Sequence, residues 1–149
     1  MYKHILIATD GSDLAGRGVR HGIALAKALV SKVTVIMATD PMPLSGIALG
    51  AGWVPSTEEL ADYRAAQTRF ADEILSRVKA EAAQEGVAVE PYHVADSRAA
   101  DAILQTAAAK GCDLIVMASH GRRGVERVLL GSQTAEVVAH SGVPVLVVR

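Results

Sequence analysis

The chain has 149 residues, enough for one domain with a buried core, and a formal net charge of −1. Half of its residues are hydrophobic but only 3% are aromatic, so Ala, Val, Ile and Leu must form the core. The near-neutral charge argues against broad electrostatic binding to nucleic acid or to an anionic membrane.

A single cysteine, Cys112, cannot form an internal disulfide, which favours a reducing, cytoplasmic setting. Cys112 stands directly before an apolar segment, so we expect an inert, buried thiol rather than a nucleophile. Residues 1–4 lead straight into the first apolar run. We therefore expect no signal peptide, and no run approaches the ~20 apolar residues of a membrane span.

Five short apolar runs predict strands. Most are continuous rather than alternating, as in a parallel sheet that is covered on both faces. The third run alternates between apolar and polar residues, which favours a position at the edge of the sheet. The runs are residues 5–8, 33–38, 87–94, 114–117 and 143–148.

Helical spacing of apolar residues fills the gaps between these runs. The first helix spans about 14–29, with Ser12 or Asp13 as its cap, although three glycines weaken it. The second begins at a capping box, Ser56 to Glu59, and ends near Gly86. The third covers about 97–110, and the fourth about 132–140 with Ser132 as its cap.

The alternation β-α-β-α-β-α-β-α-β predicts an α/β fold: one domain, 1–149, with an open parallel five-stranded sheet and helices on both faces. Ligands bind such sheets beyond the carboxyl ends of the strands, where the strand order reverses. The loops at those ends are 9–12, 38–55, 95–97 and 118–132. Within the second, residues 41–55 form either a mobile excursion or a flap over the site, and they include the only tryptophan, Trp53.

Segment 118–132 is the most informative stretch, because glycines follow a strand and recur where a helix begins. Such a segment lets a ligand approach the backbone, and the helix N-terminus attracts a phosphate. Three arginines against one glutamate give it a local charge of 3 − 1 = +2. It is neither a Walker A loop nor the dinucleotide fingerprint, and a plain tight connection would also explain the glycines.

Over nearly its whole length, from Ile5 to Val148, the chain resembles the universal stress protein family. ATP-binding members carry a glycine, two residues, a second glycine, nine residues, and then a glycine followed by Ser or Thr. Here Gly121 precedes nine residues and then Gly131-Ser132, while Ala118 occupies the first glycine position. A Cβ at that position costs roughly 1 kcal/mol if positive φ is needed, or shifts the ligand slightly if close approach is needed.

The resemblance implies an adenine nucleotide as ligand, ATP or a relative, with Mg²⁺ able to accompany its phosphates. Asp10 would approach the ribose or a phosphate-bound metal, and Ala38 would offer backbone contacts to adenine. Met117 and Ala118 would line the ribose side. The phosphates would be held by backbone N–H groups of four further residues: Gly121, Gly131, Ser132 and Gln133.

Two other side chains in this segment are candidates for phosphate contact. The imidazole of His120 could donate to a phosphate or have a structural role, and Arg122, with its neighbour Arg123, could reach the terminal phosphates or be exposed. The remaining histidines lack metal-ligand spacing, so we expect no zinc site.

These features predict a nucleotide-binding regulatory protein of the stress response whose hydrolysis is slow or dependent on another factor, because no Walker pair is present. The alternative is a nucleotide-free stress adaptor that acts through dimerisation and partners. The apolar strand 143–148 would risk aggregation at a sheet edge. The resemblance implies that it pairs with a second copy to give a homodimer, and cover by a helix is the other solution.

Overall fold

The computed structural model describes residues 1–43, 52, 54–121 and 130–149. The chain alternates five strands and four helices within these ranges. The strands are β1 His4–Ala8, β2 Lys32–Ala38, β3 Val89–Val94, β4 Leu114–Ala118 and β5 Val145–Val148. The helices are α1 Asp13–Leu29, α2 Thr57–Gln84, α3 Ala99–Lys110 and α4 Ser132–His140.

The strands form one parallel sheet in the order β3-β2-β1-β4-β5. The α/β fold predicted from the sequence is therefore confirmed, and the alternating third strand lies at an edge as expected. Two strands are shorter than their apolar runs: β3 begins at Val89 and β5 at Val145.

Two apolar layers cover the sheet, one on each face. Side chains of α1 and α2, such as Val19 and Leu75, pack against Ile5 and Ile7 on one face. On the other face α3 and α4 cover Leu6 and Ile115. Fully buried Val, Ile and Leu side chains fill both layers, in keeping with the low aromatic content. Among the described helices, none is both long and apolar enough to cross a membrane.

Local capping explains where two helices begin. The Ser12 hydroxyl accepts the backbone N–H of Ala15 at the start of α1. At α2, Ser56 and Glu59 each accept a bond from the other's backbone amide, at 3.1 and 2.7 Å, so the predicted capping box is present. Gly86 follows α2 in the left-handed region, with φ +76°, which suits a residue without a Cβ.

Candidate functional site

A cleft of about 890 Å³ lies beyond the carboxyl ends of the strands. The chain passes from β1 to β2 and β3 on one side of the sheet, and then crosses to β4 and β5 on the other. The strand order therefore reverses between β1 and β4, where open α/β sheets bind their ligands. The volume falls within the range of small-molecule sites.

Nine of the ten site residues predicted from the sequence line this cleft. The tenth, Arg122, lies outside the described residues, as do Arg123 and Trp53. Most of the loop 41–55 is likewise outside them. The residues that the fold brings together are Asp10, Ala38, Met117, Ala118, His120, Gly121, Gly131, Ser132 and Gln133.

Asp10 and Gly121 meet across the gap between β1 and β4. One carboxylate oxygen of Asp10, Oδ1, accepts the Ser12 amide at 2.9 Å. The other, Oδ2, lies 2.8 Å from the position that a Cβ on Gly121 would occupy. A side chain at position 121 would therefore force the Asp10 carboxylate to move, whereas glycine leaves it in place.

Gly131 stands at the start of α4, close to the residues that follow β4. Its amide donates to the Ser119 carbonyl at 2.7 Å, and a Cβ would come within 3.4 Å of that oxygen and of the His120 Cα. Gly131 is the N-cap residue, with extended backbone, so the prediction that Ser132 caps α4 is wrong by one residue. Glycine tolerates the N-cap position, and no side-chain bond caps this helix.

This shift changes the role of Ser132. As the first residue of α4, it lies in the turn whose backbone N–H groups have no helical acceptor. Ser132 borders the cleft, and its side chain does not cap α4. Gln133 also borders the cleft, and its Oε1 accepts the Ala100 amide at 2.9 Å, which ties the start of α4 to the start of α3.

Ala118 is the last residue of β4, in a strand conformation. Among the described residues, those other than glycine with positive φ are Val30 and Asp96. A methyl group at position 118 therefore adds no left-handed strain. The Ala118 carbonyl accepts the buried Thr134 hydroxyl at 2.9 Å, and this bond fixes α4 against the strand end.

The end of β2 exposes backbone groups to the cleft. The Thr39 amide donates to the Val94 carbonyl, and the Thr39 carbonyl accepts from Ser97, so both groups face β3. Successive residues of a strand direct their backbone groups to opposite sides. Those of Ala38 therefore face the β1 side, where β1 has already ended at Ala8.

His120 lies next to Ser119, whose hydroxyl oxygen is 2.9 Å from the His120 Nδ1. This contact holds the imidazole at the cleft wall and supports the structural alternative without removing the phosphate alternative. Among the described residues, no three His, Cys, Asp or Glu side chains converge as a metal site.

Sequence reasoning missed several cleft residues, above all those from α2. Gln67 and Phe70 line the cleft from this helix, and Arg98 lines it from the residue before α3, paired with Glu136 at 2.6 Å. One signal was available: Gln67 is a polar residue within the otherwise apolar stripe of α2. A polar side chain on a helix face that packs against a sheet suggests a site rather than core.

Groups with shifted pKa values lie at the opposite end of the sheet, where the strands begin. Burial lowers the pKa of His4 and raises that of the Cys112 thiol, which is 4% exposed. Backbone N–H groups of Lys3 and His4 lower the pKa of Asp113. The raised pKa of Cys112 keeps it protonated, in agreement with the expectation of an inert thiol.

The fold and its cleft define the class of α/β domains that hold ligands at a topological switch point. The family model described as "Universal stress protein family" matches residues 1–149, and the chain belongs to this family. A universal stress protein of Thermus aquaticus is 39% identical, with all of both chains covered. Universal stress protein MJ0531 of Methanocaldococcus jannaschii is 34% identical over 100% of this chain and 83% of its own length.

Solved structures agree with this assignment. Protein MJ0577 of M. jannaschii superimposes with a TM-score of 0.82 at 28% identity, covering 99% of this chain and 96% of its own. A universal stress protein of Archaeoglobus fulgidus in complex with dAMP has a TM-score of 0.65 at 22% identity, covering 99% and 98%. The structure of a universal stress protein in complex with cAMP has a TM-score of 0.70 at 24% identity, covering 99% of this chain and 97% of its own.

Proposed function

We propose that this chain binds an adenine nucleotide in the cleft and acts as a nucleotide-dependent regulatory protein of the stress response. The observation that carries the proposal is the convergence of strand ends, a glycine-capped α4 N-terminus and Asp10 around one cleft. The family's dAMP and cAMP complexes support adenosine phosphates as the ligand class.

The cleft supports a division of roles along the nucleotide. At the base end, the outward-facing amide and carbonyl of Ala38 match the acceptor and donor on the edge of adenine. Met117 and Ala118 then border the ribose. At the phosphate end, the first turn of α4 supplies N–H groups and the positive end of the helix dipole. The residues assigned to phosphate are Gly121, Gly131, Ser132 and Gln133, with His120 and Arg122 as further donors.

Asp10 fits either a ribose hydroxyl or a magnesium ion that the phosphates carry. Mg²⁺ in nucleotide sites uses one or two carboxylates together with phosphate oxygens, so a full protein cage is unnecessary. Asp10 supplies such a carboxylate beside Gly121. When bound, the ion would neutralise phosphate charge. We propose slow or assisted hydrolysis, since the sequence offers no Walker pair.

The proposal includes a homodimer formed through β5 and a cytoplasmic location. β5 pairs with β4 on one side and forms an edge of the sheet. Its sequence, Val-Leu-Val-Val, has no proline or charge to discourage pairing, and Leu146 is partly exposed. The nucleotide-free adaptor remains the competing function, and it would use the same dimer.

Thermal unfolding with and without Mg-ATP tests nucleotide binding. ATP at a hundred times its Kd should add about 2.7 kcal/mol to the unfolding free energy, a Tm shift of roughly 5–10 °C. The Tm shifts with AMP and cAMP, measured in parallel, show how much the additional phosphates of ATP contribute to binding. No shift with any of them at millimolar concentration would favour the adaptor.

Two variants test the phosphate end. Ser132→Ala should lower ATP affinity by about three- to tenfold, the value of one hydrogen bond, and leave unliganded stability unchanged because Ser132 does not cap α4. Ser76→Ala, which changes an exposed serine on α2, is the matched control.

Gly131→Val should abolish the Tm shift that ATP causes, because the branched side chain enters the path by which the phosphates approach the amides. A folded Gly131→Val protein with the full Tm shift would show that the phosphates do not bind at the start of α4.

A further inference from the structure

A hydrogen-bond chain connects α2 to the segment that follows β2. Gln67 Nε2 lies 2.7 Å from the Tyr63 hydroxyl, and this hydroxyl lies 3.3 Å from the carbonyl oxygen of Asp40. Tyr63 and Gln67 are four residues apart on α2, so they share one face of the helix. The chain fixes the position of the Gln67 side chain relative to the end of β2.

The direction of each bond in this hydrogen-bond chain follows from its last acceptor, the Asp40 carbonyl. A backbone carbonyl can only accept, so the single proton of the Tyr63 hydroxyl is donated to Asp40. The Tyr63 oxygen must therefore accept from Gln67, and only the amide NH₂ can donate there. The carbonyl oxygen of the Gln67 amide, Oε1, is consequently turned away from Tyr63.

Gln67 lines the cleft, whereas Tyr63 is not among its lining residues. Because the amide NH₂ is bonded to Tyr63, we infer that Oε1 is the amide atom that Gln67 offers to a ligand in the cleft. Asp40 and Ala38 border the same part of the cleft, and Phe70 follows one helical turn after Gln67. This part is the base end of the site, where Ala38 directs its backbone groups.

We propose that Gln67 is a specificity-determining residue that selects a 6-aminopurine over a 6-oxopurine, with Tyr63 as the residue that positions it. This inference rests on the proposed nucleotide binding. The exocyclic amino group of adenine carries two protons, one for the Ala38 carbonyl and one for Gln67 Oε1. A 6-oxopurine presents an oxygen at that place, as guanine does with O6, and two acceptors would face each other.

Because Tyr63 holds the amide NH₂, the Gln67 amide cannot rotate to offer a donor to the 6-oxo oxygen without breaking its hydrogen bond to Tyr63. A site with a fixed acceptor disfavours a ligand that cannot donate to it, since the bound ligand would cover the acceptor and leave it unpaired. Discrimination thus depends on both residues, but in different ways: Gln67 contacts the base, and Tyr63 fixes the direction of the contact.

Calorimetric titration with Mg-ATP and Mg-ITP tests this assignment, because ATP and ITP share their sugar and phosphates and differ in the purine. Wild-type protein should prefer ATP. Gln67→Leu should reduce the ATP:ITP affinity ratio by about three- to tenfold, mainly through weaker ATP binding. Tyr63→Phe should reduce the ratio mainly through tighter ITP binding, because the released amide can turn its NH₂ towards the 6-oxo oxygen.

Gln84→Leu, an exposed glutamine at the other end of α2, is the matched control and should keep the wild-type ratio. A wild-type ratio in Gln67→Leu would overturn the role of Gln67 while nucleotide binding stands. A wild-type ratio in Tyr63→Phe alone would overturn the positioning role. Wild-type protein that binds neither nucleotide would overturn the proposed function and this inference together.

Discussion

At the scale of single residues, His4 shows how a buried imidazole can limit stability in acid. It is 7% exposed at the start of β1. Its Nδ1 donates to the Lys110 carbonyl at 3.2 Å, and its Nε2 lies 2.9 Å from the Thr34 hydroxyl oxygen. Burial is the main cause that lowers the His4 pKa; the charges of Lys32 and Lys110 add to it, while the Lys110 carbonyl bond and Glu90 oppose it.

A lowered pKa in the folded state makes His4 destabilising in acid. Between its folded pKa and its ordinary value of 6.5, the unfolded chain binds more protons than the folded chain. We therefore expect His4 to leave the unfolding free energy of the wild type unchanged above pH 6.5 and to reduce it as the pH drops below that value. His4→Gln should show a shallower fall in urea unfolding across the same range.

The exposed His21 on α1 provides the control for this comparison, because its imidazole bonds only the Arg17 carbonyl among the described contacts. His21→Gln should retain the wild-type pH slope. Equal slopes in wild type and His4→Gln would show that burial of His4 does not control acid stability.

At the scale of elements, the glycines of α1 set the distance between helix and sheet. A Cβ on Gly22 would lie 2.5 Å from Cδ1 of the fully buried Ile7, and one on Gly18 would lie 3.4 Å from the Ala118 amide. Gly16 differs, since its Cβ would meet only the flexible end of Arg20 at 3.6 Å. The glycines that weaken α1 as a helix thus allow it to pack closely on β1 and β4.

Alanine substitutions should separate these two effects. Gly22→Ala should destabilise the protein by about 1–3 kcal/mol, because overpacking against Ile7 exceeds the gain in helix propensity. Gly16→Ala should stabilise it by up to about 1 kcal/mol through propensity alone. Denaturant unfolding measures both changes.

A double mutant identifies the contact directly. Ile7→Ala removes the two atoms that a Cβ on Gly22 would meet most closely, Cδ1 at 2.5 Å and Cγ1 at 2.8 Å. Gly22→Ala combined with Ile7→Ala should therefore cost less than the sum of the two single changes. Strict additivity would mean that Ile7 does not limit the approach of α1.

At the scale of the whole molecule, the two edges of the sheet differ. At the β3 edge, the Val94 carbonyl accepts the Thr39 amide and so faces β2. By alternation, the backbone of Pro91 faces away from β2. A strand added at this edge would find no N–H donor at Pro91. On β5, the carbonyls of Pro144 and Val148 bond β4, which leaves the backbone groups of Val145 and Val147 facing outward. β5 is therefore the edge suited to pairing with a second copy.

Removing one outward amide should block this pairing with little change to the monomer. Val147→Pro deletes an N–H that β4 does not use, so we expect sedimentation to change from a dimer to a folded monomer. Val147→Ala keeps the N–H and should remain dimeric. A Val147→Pro chain that stayed dimeric would place the interface elsewhere.

The sequence predicted most of the fold because strand–helix alternation and local caps are short-range features. Its errors are also local. Residues 97 and 98 precede α3 instead of belonging to it. Helix α4 spans Ser132–His140 as predicted, but its N-cap is Gly131 rather than Ser132. The positive φ considered for Ala118 does not occur, since the residue ends a strand.

The candidate site was predictable only where it follows strand ends. Ala38 ends β2, and Asp10 and Gly121 follow the ends of β1 and β4 by two and three residues, so a parallel sheet brings all three to one edge. Gln67 and Phe70 lie in the middle of a 28-residue helix, and their place in the cleft depends on how α2 packs across β2 and β3. No local sequence pattern predicts how α2 packs on the sheet.

The sequence by itself determined the alternation of strands and helices, the apolar layers on both faces and the glycine segment after the fourth strand, because each is written in the order of neighbouring residues. Only the tertiary structure decided the strand order, and with it the switch point between β1 and β4. It also decided that Tyr63 fixes Gln67 against the end of β2. The strand order and the contact between Tyr63 and Asp40 join residues far apart in the chain, and long-range packing alone brings them together.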